Sequence, residues 1–219
     1  CTLKHSSLEL MISLLKQMYR YAIKCEYIDK NHAEFLYNPK ADDDEHGEPF
    51  SPDELKIMAG NRNDPTVQML LIMCYSGFRI TAYTDMEVNL ERGFFRGGVK
   101  TAAGKDRIVP IHPCILPFVR ARSCDGKGNL LGVSTSTFRN EMYQTLTSLN
   151  IAYTSSGKKH TPHDCRHTFS ALCEQYKVNE NDRKRMLGHS FGSDITNGIY
   201  GHRSIDELKA ELYKLPYLW

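Results

Sequence analysis

Apolar residues recur at helical spacing through 6–25, where Leu8, Met11, Ile12, Leu15, Met18, Tyr19 and Ala22 fall on one stripe. That spacing predicts one long amphipathic helix, with a short turn after it at 30–35. The periodicity then stops. Asn38-Pro39 leads into Asp42-Asp43-Asp44-Glu45-His46-Gly47-Glu48, a run with almost nothing to bury, which reads as a linker. It resumes at Ser51-Pro52-Asp53-Glu54, where Ser suits an N-cap, Pro the first turn and Glu the capping-box position. Asp64-Pro65 opens another helix through Leu70-Leu71-Ile72-Met73, with Gly77 placed to end it.

The period then shortens. Phe94-Phe95, Val99-Lys100-Thr101 and Arg107-Ile108-Val109-Pro110-Ile111 read as strands, with a turn at Ala103-Gly104. Beyond Pro113 helical patterns return over 113–121, 135–149, 163–176, 180–187 and 204–214, and Gly126-Lys127-Gly128-Asn129 is a loop. The expected fold is mostly α with a small antiparallel β-sheet or hairpin (α+β). Three segments are expected: a helical piece at 1–38, an acidic linker at 39–49, and a main domain at 50–219 with a tail helix.

Composition narrows the class. With 41% hydrophobic and 25% charged residues among 219, the chain is near globular averages, so disorder and fibrous folds are excluded. No apolar run approaches the roughly 18–20 residues of a membrane-spanning helix. Cys1-Thr2-Leu3-Lys4-His5 lacks a basic-then-apolar leader, and a start at Cys reads as an excised fragment. Seven Cys, an odd number without a C-x-x-C pair, fit free thiols in a reducing compartment. The expected setting is the cytoplasm.

The net charge of +2 hides a strong asymmetry. Residues 1–91 carry 9 Lys and Arg against 15 Asp and Glu, whereas residues 92–203 carry 17 against 8. Five of the nine His also fall between His160 and His202. A concentrated positive field attracts polyanions, nucleic-acid phosphate above all, although a solvated basic face has the same signature. The basic residues follow no single helix stripe, which argues against a membrane surface.

The densest chemistry is Thr161-Pro162-His163-Asp164-Cys165-Arg166-His167-Thr168. Pro at a helix start brings backbone N–H groups and the positive dipole end beside His163 and Arg166, which share a face three residues apart. That combination suits a phosphate. His163 and His167, four apart, also have two-His metal spacing, but the acidic base of H-E-x-x-H is missing and no further ligand is obviously placed. Capping and packing of the His residues is a third reading. Further signals are Ser76-Gly77-Phe78-Arg79, Met186-Leu187-Gly188-His189-Ser190 behind Arg183-Lys184-Arg185, and Ile199-Tyr200-Gly201-His202. Each is modest alone; their order is informative.

Arg79, a Lys on a hairpin (Val99-Lys100-Thr101, followed by Arg107-Ile108-Val109-Pro110), His163-Asp164-Cys165-Arg166-His167-Thr168, Leu187-Gly188-His189-Ser190 and Ile199-Tyr200 occur in that order. This set resembles the tyrosine recombinases, the phage-integrase family, over about residues 50–212. Residues 6–38, ending Ala22-Ile23-Lys24…Tyr27-Ile28-Asp29-Lys30-Asn31, resemble the last helix of that family's core-binding domain, whose remainder is absent from this sequence.

The resemblance implies that Tyr200 attacks a DNA phosphodiester and forms a 3′-phosphotyrosyl link. Arg79 and Arg166 would hold the non-bridging oxygens, His189 would donate to the same phosphate, Lys100 would protonate the leaving 5′-oxygen, and His163 would take the tyrosine proton. Lys105 competes with Lys100 for the acid role. Lys105, Arg107, Lys158, Lys159 and Arg185 are expected to bind DNA. No metal and no ATP are implied, because the covalent intermediate conserves the bond. Implied partners are double-stranded DNA attachment sites, a homotetramer on DNA formed through the tail at 204–219 (unless that tail packs in cis on its own domain), and an accessory directionality factor. No membrane partner is implied, and the setting would be prokaryotic.

Three departures from the family pattern stand out. The interval from His189 to Tyr200 is long, Cys165 replaces the usual Leu, and Ala82 stands where an acidic residue often supports the first Arg. Competing functions are a type IB topoisomerase, which shares the chemistry, a non-catalytic DNA-binding module, and, more distantly, a metal hydrolase built on His163 and His167.

Overall fold

The computed structural model describes residues 5–38, 47–98, 105–123, 129–189 and 203–219. The chain divides into two compact units, Cys1–His46 and Gly47–Trp219. The first contains α1 (His5–Lys24) and turns up to residue 38. Its apolar stripe stays largely at the surface, with Met11 50%, Leu15 38% and Met18 57% exposed. One helix followed by short turns offers too little surface to cover it.

The second unit is built around α3 (Pro65–Ser76), buried from Met69 to Ser76 without a polar face, as a helix enclosed by others must be. Its ends follow local chemistry. Asp64 accepts the N–H groups of Thr66 and Val67, and Gly77 closes the helix at φ +66°. Around it lie α2 (Pro52–Gly60), α4 (Leu116–Ser123), α5 (Thr135–Ser148) and α6 (Pro162–Gln175), followed by α7 (Glu180–Leu187) and α8 (Ile205–Leu212). The capping box expected at Ser51 forms, with Glu54 accepting the Ser51 N–H at 2.7 Å.

A three-stranded antiparallel sheet, β1 (Glu87–Asn89), β2 (Phe94–Gly97) and β3 (Arg107–Pro110), packs on one side. Phe95 pairs with Val88 and Val109, and the buried Phe95 and Val109 face the core together. The fold is therefore mostly helical with a small antiparallel sheet, as expected. The sequence reading missed β1 and a 3-10 turn at Ile80–Thr84. The strand expected at Val99-Lys100-Thr101 lies outside the described residues.

Two segments behave differently from expectation. Glu48, assigned to a solvated linker, accepts hydrogen bonds from the hydroxyls of Thr154, Ser155 and Ser156, which hold its carboxyl below the ordinary value. The tail returns to its own domain. Leu208, Leu212 and Leu215 are buried, Tyr75 Oη donates to the Pro216 carbonyl at 2.8 Å, and Trp219 packs against Phe118. Of the two placements the sequence left open for its apolar side, a neighbouring protomer or its own domain, the tail takes the second. No helix among the described residues is long and apolar enough to cross a membrane.

Candidate active site

Three chain segments meet at Arg166. It sits in the second turn of α6, whose start is set by a capping box: Asp164 Oδ2 accepts the Thr161 N–H at 2.7 Å, and Thr161 Oγ1 accepts the His163 N–H at 3.3 Å. The sequence reading placed Pro162 there but did not see this box. From that turn Arg166 reaches inward, donating to Gly77 O at 2.8 Å and Leu187 O at 2.6 Å. One guanidinium therefore ties the end of α3 to the end of α7. The same amino group lies 3.1 Å from His189 Nε2. The fork geometry of arginine makes this possible; a lysine could not span both carbonyls in that plane.

Arg79, just beyond Gly77, is half-buried and makes no ion pair with a described carboxylate. Arg107 differs most from expectation. It was assigned to the DNA-contacting hairpin, yet its residue is only 8% exposed. Its guanidinium lies over the Phe78 ring at 4.0 Å, and Nε donates to Met186 O at 2.8 Å. Burial, reinforced by Arg79, pushes both buried arginines down, Arg107 and Arg166 each to about 10, so both remain cationic near neutrality.

The imidazoles respond to the same field. His163 is exposed and edge-on to His167, with centroids 4.7 Å apart. Desolvation lowers its pKa, followed by the charges of His167, Arg166 and Arg79. His189 is lowered in turn by desolvation and then by Arg166, Arg79, Arg107 and Arg183. Both rings are neutral at pH 7. Cys165, behind Arg166, is fully buried and behaves as a small apolar filler, its thiol pushed up by burial and by Cys74.

The fold thus gathers Arg79, Arg107, Arg166, His163 and His189 from four stretches of chain. Lys100 and Tyr200 lie outside the described residues. Lys105, Lys158 and Lys159 are exposed, Lys159 standing over the Tyr143 ring at 5.7 Å. Arg185 is half-buried and lies 3.5 Å from Asp182, a contact it shares with Arg203. Among the described residues no three His, Cys, Asp or Glu side chains form a metal-binding group. His160 and His112, both buried, were not singled out from sequence; their partners lie far along the chain, so no local pattern marks them.

Three guanidinium groups and two neutral imidazoles, gathered beside two main-chain carbonyls, give a mostly helical domain a cationic site whose chemistry suits an anion such as a phosphodiester. No family profile matches the chain. Curated relatives do. The tyrosine recombinase XerA of Pyrococcus horikoshii is 25% identical over 228 residues, spanning 95% of this chain and 73% of the relative. The tyrosine recombinase XerC of Pelobacter propionicus is 24% identical, spanning 94% and 72%. Among solved structures, the Tn1549 transposon integrase in complex with circular intermediate DNA superposes with a TM-score of 0.68 at 20% identity, covering 96% of this chain and 80% of that one. A lambda integrase dimer bound to a core site gives 0.64 at 17% identity, covering 92% and 61%. In sequence the chain is thus similar to tyrosine recombinases, and in fold to their integrases.

Proposed function

We propose that this chain is a site-specific DNA recombinase of a prokaryotic mobile element, cleaving and rejoining strands through Tyr200. The observation that carries the reading is the cluster of cations around Arg166, with Arg107 and Arg79 close enough to lower its pKa. A phosphodiester bears one negative charge and its five-coordinate transition state more, so donors already fixed in place stabilise the latter preferentially. The relatives named as recombinases and integrases support the same reading.

In this reading the Tyr200 oxygen attacks phosphorus and its proton passes to neutral His163. Arg79 and Arg166 hold the non-bridging oxygens, and His189 donates a further hydrogen bond. Lys100 protonates the departing 5′-oxygen. A 5′-hydroxyl from another strand then attacks the phosphotyrosine, returning the proton by the same route, so neither ATP nor a metal ion enters the balance. Lys105, Lys158 and Lys159 grip the backbone from the surface. The reading extends to a homotetramer on DNA and an accessory directionality factor.

The test uses the full chain with a pool of nicked duplexes of randomised sequence, in EDTA. An SDS-stable protein–DNA adduct that disappears in Tyr200→Phe is expected, together with strand exchange between two duplexes. Adduct and relaxation without exchange would make the protein a topoisomerase. Binding without adduct would make it a non-catalytic module.

A further inference from the structure

His160 is the last residue before the capping box of α6, and its imidazole is buried with 1% of the side chain exposed. Its two nitrogens face carboxylates from two different helices. Nδ1 lies 3.2 Å from Asp164 Oδ2, and Nε2 lies 3.3 Å from Glu54 Oε1. The Phe50 ring stacks on it at 4.0 Å and shuts out water on that face. Each carboxylate is already half of a capping box. Glu54 Oε2 accepts the Ser51 N–H, and Asp164 Oδ2 accepts the Thr161 N–H. One ring thus bridges the N-termini of α2 and α6.

A neutral imidazole cannot make both contacts while both carboxylates are ionised. One nitrogen would then point a lone pair at a carboxylate oxygen inside the protein, which is repulsive and costly without solvent. Two N–H donors satisfy both gaps. We propose that His160 is a doubly protonated strut that locks the capping boxes of α2 and α6 together and so positions His163 and Arg166 for strand transfer. This rests on the recombinase reading for its consequence, though the strut itself needs no DNA.

Other surroundings agree. The groups facing the ring are Glu54 from α2, Asp164 from α6 and apolar Phe50. The other Asp164 oxygen is buried and has no hydrogen-bond partner among the described residues. The α6 first turn is further fixed by Thr168 Oγ1, which donates to Asp164 O at 2.7 Å and accepts the Phe50 N–H at 2.8 Å. Burial disfavours the cation, but the bonds and charges of Asp164 and Glu54 outweigh it and raise the His160 pKa. A raised folded pKa means that the strut is intact below the free-imidazole value of about 6.5 and is lost as pH rises through the folded value.

The experiment pairs imidazole NMR of the full chain with adduct formation on the nicked-duplex pool from acid to alkaline pH. Two protonated ring nitrogens on His160 at pH 7 are expected, with one proton lost at alkaline pH and the cleavage rate falling over the same interval. His160→Gln should lower the rate constant about 10- to 10²-fold, as small displacements of catalytic groups do, with little change in DNA affinity. Glu54→Gln keeps the capping box through its amide oxygen and offers an N–H to a bare Nε2. Neutral His160 is then tolerated, and the alkaline loss of cleavage should vanish while the protein stays folded and active. A singly protonated His160 at pH 7 overturns the strut. So does an unchanged alkaline limb in Glu54→Gln, or wild-type cleavage in His160→Gln. Absence of adduct from the wild type at every pH would sink the recombinase reading instead, leaving the NMR signature to decide the strut.

Discussion

Arg166 donates toward Nε2 of His189 across 3.1 Å, and this contact sets the tautomer of the imidazole. An accepting Nε2 leaves the ring proton on Nδ1, so neutral His189 is a single-proton donor beside a guanidinium.

His189→Gln retains an amide donor and should keep part of the cleavage rate. His189→Leu should lose about 10²–10³-fold, the usual effect of removing one donor to a developing oxyanion. Rates of adduct formation at saturating DNA distinguish the two; equal losses would remove the donor role.

Arg166→Lys keeps the charge but cannot span the Gly77 and Leu187 carbonyls. Cleavage should fall at least about 10²-fold, while DNA binding is almost unchanged because many surface cations hold the backbone. Thermal unfolding should show a loss of about 2–3 kcal/mol, since buried carbonyls lose a charged donor. Collapse of binding in a folded variant would contradict the site role.

The acid side of the rate profile should belong to His163. Desolvation and then the His167, Arg166 and Arg79 charges disfavour its protonated form. As a proton acceptor it must be neutral, so activity should persist below the ordinary imidazole pKa of about 6.5 before failing. His163→Gln should abolish that acid limb and lower the plateau. A limb centred above 6.5 would point to another group.

Salt dependence separates surface cations from buried ones. Lys105→Ala, Lys158→Ala and Lys159→Ala should each weaken binding and reduce the slope of log affinity against log salt by about 1. Arg107→Lys, by contrast, should leave the slope unchanged and destabilise the fold, because Arg107 is stacked on Phe78 and bonded to Met186 O. A reduced slope for Arg107→Lys would return it to the DNA face.

Gly77 holds φ +66°, and a Cβ there would collide with the Phe169 ring. Gly77→Ala should cost about 2–4 kcal/mol from left-handed strain plus overpacking. Its carbonyl also holds Arg166, so cleavage should fall further than unfolding alone explains, as measured below the melting range.

Local chemistry carried most of the architecture. Ser51-Pro52-Asp53-Glu54 and Asp64-Pro65…Gly77 mark helix ends because caps act within four residues. β1 escaped notice because three residues, Glu87-Val88-Asn89, hold no alternation of their own and become a strand only by pairing with Phe94–Arg96. Arg107 was misplaced for a similar reason: its partners, Phe78 and Met186, lie 29 and 79 positions away. Order and residue type made Arg79, His163, Arg166 and His189 legible, but the bridge through His160 depends on Glu54, more than a hundred positions earlier.

Both buried arginines are moored to main-chain oxygens: Arg166 to Gly77 and Leu187, and Arg107 to Met186. A carbonyl survives any exchange of the side chain next to it, so mutations around the pocket can alter bulk without deleting an anchor. Most neighbours can therefore be replaced while the cationic arrangement stands.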